Sequence, residues 1–387
     1  MSKIEDNNFW QEFAEILLYW FDGNRRILPW RENPTPYRVW VSEIMLQQTR
    51  VEAVKLYYDR FLAELPDIGA LAQAKEEKLL KLWEGLGYYN RVKNMQQAAQ
   101  TVMLRYGGKL PEDYETLIEL KGIGSYTAGA ISSIAYGRKV PAVDGNVLRV
   151  MTRNLEYDGD ILKDNTKKYF FRLLKEHMPS DRPGDFNQAL MELGALVCVP
   201  NGKPLCNDCP LYGTCLARRN GTMEEYPVKS GKKPRRIVNM TVYHITDAEG
   251  RLLIRRRTAP GLLSGMWELP NMEQGAEPGE KLNVRSVQEM EDKMNVQTGQ
   301  KTEEKVRIMS TPEDSEADEI IIKQIVKGKH IFSHVEWHMV CVKMQMTSKI
   351  GSLRKEVEQN FPGELVWASE EELREKYALP TAFSMWV

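Results

Sequence analysis

Two domains are predicted, an all-α domain over residues 1–225 and an α+β domain over 237–387, joined by a linker at 226–236. Three observations carry that division. Apolar residues recur at helical spacing from residue 9 to about 220. The stretch PVKSGKKPRR (227–236) is then basic and rich in breakers. Beyond it the pattern changes to strand-like alternation. At 387 residues the chain is long enough for two or three domains, and 42% apolar residues is ordinary for a globular protein.

In order along the first domain, helical periodicity covers 9–21, 39–62, 76–86, 91–106, 114–120, 125–136, 146–155, 164–177 and 185–197. Leu65-Pro66, Gly107-Gly108 and Pro179 punctuate the series, because neither residue type sits comfortably in a helix interior. In the second domain 237–245 and 335–346 alternate, Asp247–Gly250 reads as a turn, and a late helix is expected near 369–377. The acidic stretch 313–319 reads as loose, and no internal repeat is visible.

Lys and Arg number 53 against 54 Asp and Glu, so the net charge is −1 and a uniformly basic nucleic-acid coat is excluded. Any polyanion site must be local. The start MSKIEDNNFW lacks the basic and apolar regions of a signal peptide. No apolar run approaches the ~18 residues of a membrane span, so a soluble, cytoplasmic protein is expected. Four of the five cysteines form a cluster, Cys198-x7-Cys206-x2-Cys209-x5-Cys215. A disulfide framework belongs to small secreted chains, so a metal centre is the better reading. Cys₄ ligation suits an iron–sulfur cluster. Zinc competes, but structural Cys₄ zinc sites usually show two close pairs and only Cys206/Cys209 is one. Cys341, alone in MVCVKM, reads as a buried thiol.

Two carboxylates stand out. Glu43 lies in WVSEIMLQQTR, where helical spacing sets Val39, Trp40 and Leu46 around it. Burial there would raise its pKa and keep it protonated, as a general acid requires; a plain surface glutamate is the alternative. Asp144 in Val143-Asp144-Gly145-Asn146 precedes the helix at 146–155 and could be no more than an N-cap. A capping aspartate accepts backbone N–H groups and stays ionised, however. One neutral and one charged acid is the division of labour that glycosidic bond cleavage needs. A third signal is the hairpin Leu120-Lys121-Gly122-Ile123-Gly124-Ser125-Tyr126. Two glycines and a helix starting at Ser125 would cradle a phosphate with backbone N–H groups, although a plain helix–turn–helix corner has the same outline.

Leu28-Pro29-Trp30-Arg31, Trp40 to Arg50, Trp83 to Tyr89 and Ala142 to Asn146, followed by the cysteine cluster, carry a close likeness. The helical half resembles the endonuclease III superfamily of helix-hairpin-helix DNA glycosylases. Over residues 9–380 the chain resembles its MutY family of adenine DNA glycosylases. The resemblance implies a helix-hairpin-helix domain with a [4Fe-4S] cluster, followed by a MutT-like, Nudix-fold domain. It implies removal of adenine mispaired with 8-oxoguanine or guanine in duplex DNA, the base being flipped out of the stack. Glu43 would protonate the adenine, and Asp144 would stabilise or attack the oxocarbenium-like sugar. Tyr126 and Asn146 match residues that position this site. Arg26, Trp30, Arg31 and Gln188 match the adenine pocket. Gln48 and Tyr88 match side chains that wedge into the duplex, with Leu46, Thr49, Val51 and Leu86 on the same substrate-binding surface. Gly122, Gly124 and Ser125 match the DNA-backbone hairpin, and Cys198, Cys206, Cys209 and Cys215 the cluster ligands.

Strand-cleaving relatives carry Lys at the position of Tyr126, so little or no lyase step is expected. Two departures from the family pattern occur. Seven residues rather than six separate Cys198 from Cys206, and position 188 is Gln where related sequences often place Glu. The second domain lacks the Arg-Glu-x-x-Glu-Glu cluster that holds Mg²⁺ in Nudix hydrolases. It is therefore expected to read the 8-oxoguanine strand through Phe332-Ser333-His334 rather than hydrolyse pyrophosphate. His330, His334 and His338 would share a strand face but lie ~13 Å apart from one to the next, too far for one ion. The expected protein is a monomer acting on duplex DNA, without a membrane partner. The rivals are an endonuclease III-type enzyme for oxidised pyrimidines, a non-catalytic DNA-binding module, and a nucleotide pyrophosphatase.

Overall fold

Asp6 opens the first helix by accepting the Asn8 N–H at 3.0 Å, and the apolar stripe that follows buries Phe13, Leu17 and Phe21 completely. The same logic of cap and stripe repeats along the chain. The structure is a computed structural model, and it describes residues 6–231, 234–258, 261–273, 304–307, 319–346, 361 and 363–387. These residues divide into two compact units, 1–74 with 90–232, and 75–89 with 233–387.

The helices are α1 (Asn7–Asn24), α2 (Pro29–Glu32), α3 (Pro36–Leu46), α4 (Val51–Glu64), α5 (Ile68–Gln73), α6 (Glu76–Leu82), α7 (Asn90–Tyr106), α8 (Tyr114–Ile118), α9 (Ser125–Ala130), α10 (Gly145–Leu155), α11 (Asp164–His177), α12 (Pro183–Leu196) and α13 (Leu216–Asn220). All but α6 lie in the first unit. Its core joins α1 to Met151 of α10, Phe170 of α11, and Phe186, Leu190 and Leu193 of α12. Gly194 is required there, because a Cβ on it would stand 2.7 Å from the Asn146 Cβ; its absence lets α12 lie against the start of α10.

The periodic run 39–62 is two helices, not one. Arg91 of α7 donates to the carbonyls of Ile44 and Gln47, both at 2.6 Å, and so caps the end of α3. Gln48 then takes a left-handed φ of 59°, and α4 begins at Val51. Periodicity continues through the break because a short turn restores the same buried face. The hairpin also differs in detail. Gly122 has a φ of 78° and a Cβ there would meet the Asn94 Cβ at 2.8 Å, whereas Gly124 is in the extended region as the N-cap of α9. Only the first glycine is needed for the turn itself.

The second unit is built on a mixed sheet: β1 (Arg236–Thr246), β2 (Leu252–Arg256), β3 (Trp267–Glu268), β4 (Asn271–Glu273), β5 (Glu304–Arg307), β6 (Glu319–Ile331), β7 (Val335–Met346) and β8 (Leu365–Ala368). The strand order is β3-β2-β1-β7-β6-β5, with β4 beside β1 and β8 beside β2. Only the β1–β7 pairing is parallel among these, in register from Arg236/Val335 to Thr246/Gln345. The alternation that marks β1 and β7 buries Val238, Met240, Trp337, Met339 and Cys341 on one face. Helices α14 (Glu370–Glu375) and α15 (Thr381–Ser384) follow, α14 starting with a capping box at Ser369 and Glu372. Cys341 is fully buried, as its apolar run suggests.

The segment 226–230 is not free chain. The Ile161 N–H donates to the Val228 carbonyl at 3.1 Å and Ser230 Oγ to Asp160 at 2.6 Å, so this part lies on the first unit, while Arg236 already pairs in β1. The acidic stretch 313–318 and residues 274–303, where a Nudix glutamate cluster would fall, lie outside the described residues.

Candidate active site

Thr35 and Pro36 start α3, Thr35 accepting the Arg38 N–H at 3.3 Å and Pro36 presetting the first helical φ. Seven residues later the helix carries Glu43 into a cavity of about 530 Å³ in the first unit. Val39 and Trp40 are buried beside it and only 6% of Glu43 is exposed. Burial pushes its pKa up to about 7, with the Asp144 charge adding to the rise. The Tyr126 hydroxyl opposes it by donating to Glu43 Oε2 at 2.5 Å. Burial also holds Tyr126 neutral, so it is a fixed donor at this site.

Asp144 is the N-cap of α10. Its Oδ1 accepts the Val147 N–H and its Oδ2 the Asn146 side-chain amide, both at 2.7 Å. Asp144 caps the helix as expected, but the expectation that capping alone keeps it ionised needs correction, because burial raises its pKa too. The hydrogen bonds from Val147 and Asn146 pull the other way. Glu43 has one hydroxyl donor and Asp144 has this set of amide donors, so the pair's negative charge rests on Asp144. Arg149 fixes Asn146 in turn, donating to its Oδ1 at 2.8 Å, and reaches the Cys198 carbonyl at 2.7 Å.

The same cavity is lined by Arg26, Trp30, Arg31, Leu46, Gln48, Thr49, Val51 and Gln188. Arg31 Nε donates to Gln188 Oε1 at 3.0 Å, so the amide stands where its departure from glutamate can be accommodated by a neutral acceptor. Sequence reasoning missed Glu192. It is almost wholly buried and accepts from Arg26 and Arg31, at 2.8 and 3.0 Å in the two ion pairs. Burial alone would raise its pKa, but these guanidinium bonds outweigh burial and hold it at about 2. The signal was present: a lone acid inside Ala189-Leu190-Met191-Glu192-Leu193 has to find a cationic partner.

Leu86 and Tyr88 are not among the residues lining this cavity; they lie in 75–89, within the second unit. Tyr88 is 46% exposed with a φ of 48°, and Leu86 is buried. Gln48 and Tyr88 are thus both non-glycine residues in left-handed backbone, a strain that surrounding structure must enforce. Ser333 and His334 are exposed at the β6–β7 turn, which the Phe332 N–H closes onto the Val335 carbonyl at 2.9 Å. Phe332 packs edge-on against Trp337, with ring centroids 4.8 Å apart. His334 is therefore in a turn and does not share a strand face with His330 and His338.

Cys198, Cys206, Cys209 and Cys215 together line a separate small cavity whose walls include Val150, Leu193 and Leu211. None of the four is in a disulfide, and Arg153 Nη1 donates to Cys198 Sγ at 3.3 Å. Two 3₁₀ turns, Cys206–Asp208 and Pro210–Tyr212, bring the sulfurs round. Among the described residues no three His, Cys, Asp or Glu side chains converge on a single-ion site. A cubane is wider than an ion and is clasped around a cavity by four thiolates, so the donor set fits a cluster. No helix among the described residues is long and apolar enough to cross a membrane.

Residues 41–178 match the HhH-GPD superfamily of base excision DNA repair proteins, and 241–385 match the NUDIX domain. The adenine DNA glycosylase of Buchnera aphidicola subsp. Acyrthosiphon pisum is 34% identical over 286 residues, covering 72% of this chain and 81% of that protein. The chain belongs to the adenine DNA glycosylase family. The Arabidopsis thaliana member is 37% identical over 330 residues, 74% of this chain and 52% of that protein. The human member is 34% identical over 350 residues, 75% of this chain and 64% of that protein. The chain thus spans about half the length of the Arabidopsis relative. Among solved structures, a thermostable thymine-DNA glycosylase aligns with a TM-score of 0.51 and 28% identity, over 55% of this chain and 98% of that one. In adenine DNA glycosylase terms the helical unit carries the cavity just described, and the sheet unit carries the NUDIX match.

Proposed function

We propose that this protein hydrolyses the N-glycosidic bond of adenine paired with 8-oxoguanine, or with guanine, in duplex DNA. The observation that carries the reading is the pairing of Glu43, buried and bonded to Tyr126, with Asp144, capped and bonded to Asn146, in one cavity large enough for a flipped base. Glu43 gives its proton to a ring nitrogen of the adenine and turns it into a leaving group. The C1′–N9 bond breaks and adenine leaves, while Asp144 stabilises the positive charge that develops on the sugar. A water adds to C1′ and gives its proton to the Glu43 carboxylate, which leaves an abasic site. The Arg26–Arg31–Glu192 network holds the pocket wall rigid, and Arg31 orients Gln188 toward the base. Gln48 and Tyr88 wedge into the duplex, and the Gly122–Gly124–Ser125 hairpin takes a backbone phosphate through its N–H groups. Tyr126 offers no amine for a Schiff base, so the reaction stops at the abasic site.

The four cysteines hold a [4Fe-4S] cluster, which acts as a structural clasp when bound. Iron with no zinc in the purified protein, and broad visible absorption, are the expected results. Cys209→Ser is expected to lose both the colour and thermal stability.

The sheet unit reads the base opposite the adenine. Ser333 can donate and accept at the edge where 8-oxoguanine differs from guanine, and it stands exposed at a turn with His334 beside it, 3.1 Å between Oγ and Nδ1. The experiment is single-turnover adenine release from duplexes with 8-oxoguanine, guanine or thymine opposite. The fastest release is expected opposite 8-oxoguanine, and none opposite thymine. Ser333→Ala costs one neutral hydrogen bond, about 1 kcal/mol, and lowers the 8-oxoguanine preference modestly. Changing Phe332, Ser333 and His334 together should narrow it further while the guanine-paired rate holds. An unchanged preference in a folded triple variant would assign lesion reading elsewhere.

A further inference from the structure

The segment 75–89 interrupts the helical unit in sequence yet belongs to the sheet unit. Two of its side chains grip the end of α14. Lys81 Nζ donates to Glu84 Oε2 at 2.6 Å, to the Leu373 carbonyl at 2.9 Å and to the Tyr377 carbonyl at 3.3 Å. Glu84 Oε1 accepts the Leu379 N–H at 2.7 Å. The ammonium therefore takes the Leu373 carbonyl in the last turn of α14 and the Tyr377 carbonyl just past its end, and the carboxylate takes an amide two residues further on. Both side chains are largely shielded, 19% and 28% exposed, so the pair is less screened than an ordinary surface bridge.

Glu84 leads directly into the turn that presents Tyr88. Gly85, Gly87 and Tyr88 have φ values of 94°, 68° and 48°. Trp83 Nε1 donates to the Gly87 carbonyl at 3.1 Å and the Gly85 N–H to Tyr89 Oη at 3.4 Å, which makes the turn a braced unit. We infer that Lys81 and Glu84 are positioning residues that fasten this turn to α14. The exposed Tyr88 then sits in a turn fastened within the unit that carries the Phe332–His334 tip. Recognition of the opposite base and insertion of the wedge become properties of one body. This inference rests on the function proposed above. A helix cap alone would make a different prediction, since weakening α14 would lower stability and slow all substrates alike.

The test uses the full-length protein and single-turnover release of adenine paired with 8-oxoguanine and with guanine. Lys81→Met and Glu84→Gln should each lower the ratio of the two rates on the order of tenfold, the size of a lost charge-assisted hydrogen bond. Lys81→Arg should retain most of it. The decisive readout is a cycle with Tyr88→Ala. In that background Lys81→Met should lower the ratio no further, because the side chain it positions is gone. An unchanged ratio in folded Lys81→Met and Glu84→Gln, or an equal further loss in the Tyr88→Ala background, would overturn the inference. If Lys81→Met does not fold, Glu84→Gln, which keeps an amide oxygen for the Leu379 N–H, carries the same cycle. A wild-type protein with no preference for 8-oxoguanine would instead count against the proposed function.

Discussion

Glu43→Gln is expected to slow adenine release by about 10²–10⁴-fold while duplex binding is retained. The amide keeps the size of the side chain and can still accept from Tyr126, whose hydroxyl lies 2.5 Å from Oε2. What it lacks is the proton. The wild-type pH profile should carry the same signature, since the acid must be protonated to act and burial raises its pKa to about 7. Single-turnover rate should fall as pH rises through about 7, and the residual rate of Glu43→Gln should not show that fall. Near-normal release by Glu43→Gln would remove Glu43 from the acid's role.

Asp144→Asn should also cost at least about 10²-fold, for an electrostatic reason rather than a proton-transfer one. Its structural consequences should be small. An amide oxygen can still accept the Val147 N–H that Oδ1 accepts at 2.7 Å, and Asn is as good an N-cap as Asp. The new amide nitrogen would face the Asn146 amide, which cannot turn without losing the bond from Arg149 to its oxygen, so a modest loss of thermal stability is expected. Retained folding with lost excision separates the charge of Asp144 from its capping role. An active Asp144→Asn variant would exclude charge stabilisation by this residue.

Much of this site was legible before the fold. Glu43, Tyr126, Asp144 and Asn146 were marked by residue type, by apolar surroundings and by the family likeness, and one cavity gathers them. The helical series and the strands β1 and β7 followed from periodicity, because each buries one continuous face. What was not legible depends on distant partners. The break after α3 is made by Arg91, 44 residues from the Gln47 carbonyl that it caps. Glu192 is paired with an arginine 166 residues away. The raised pKa of Asp144 comes from burial that no local pattern reports. The segment 75–89 groups with the sheet unit, and Lys81 and Glu84 bond there to residues nearly 300 positions later, 292 and 295 respectively.

The most direct test follows both products from one duplex with adenine opposite 8-oxoguanine. Free adenine is measured together with strand integrity on a denaturing gel, before and after alkali. The two-carboxylate site with tyrosine at position 126 predicts stoichiometric adenine release from a strand that stays intact until alkali cleaves it at the abasic site. Strand cleavage keeping pace with base release without alkali, or no release of adenine at all, would contradict it.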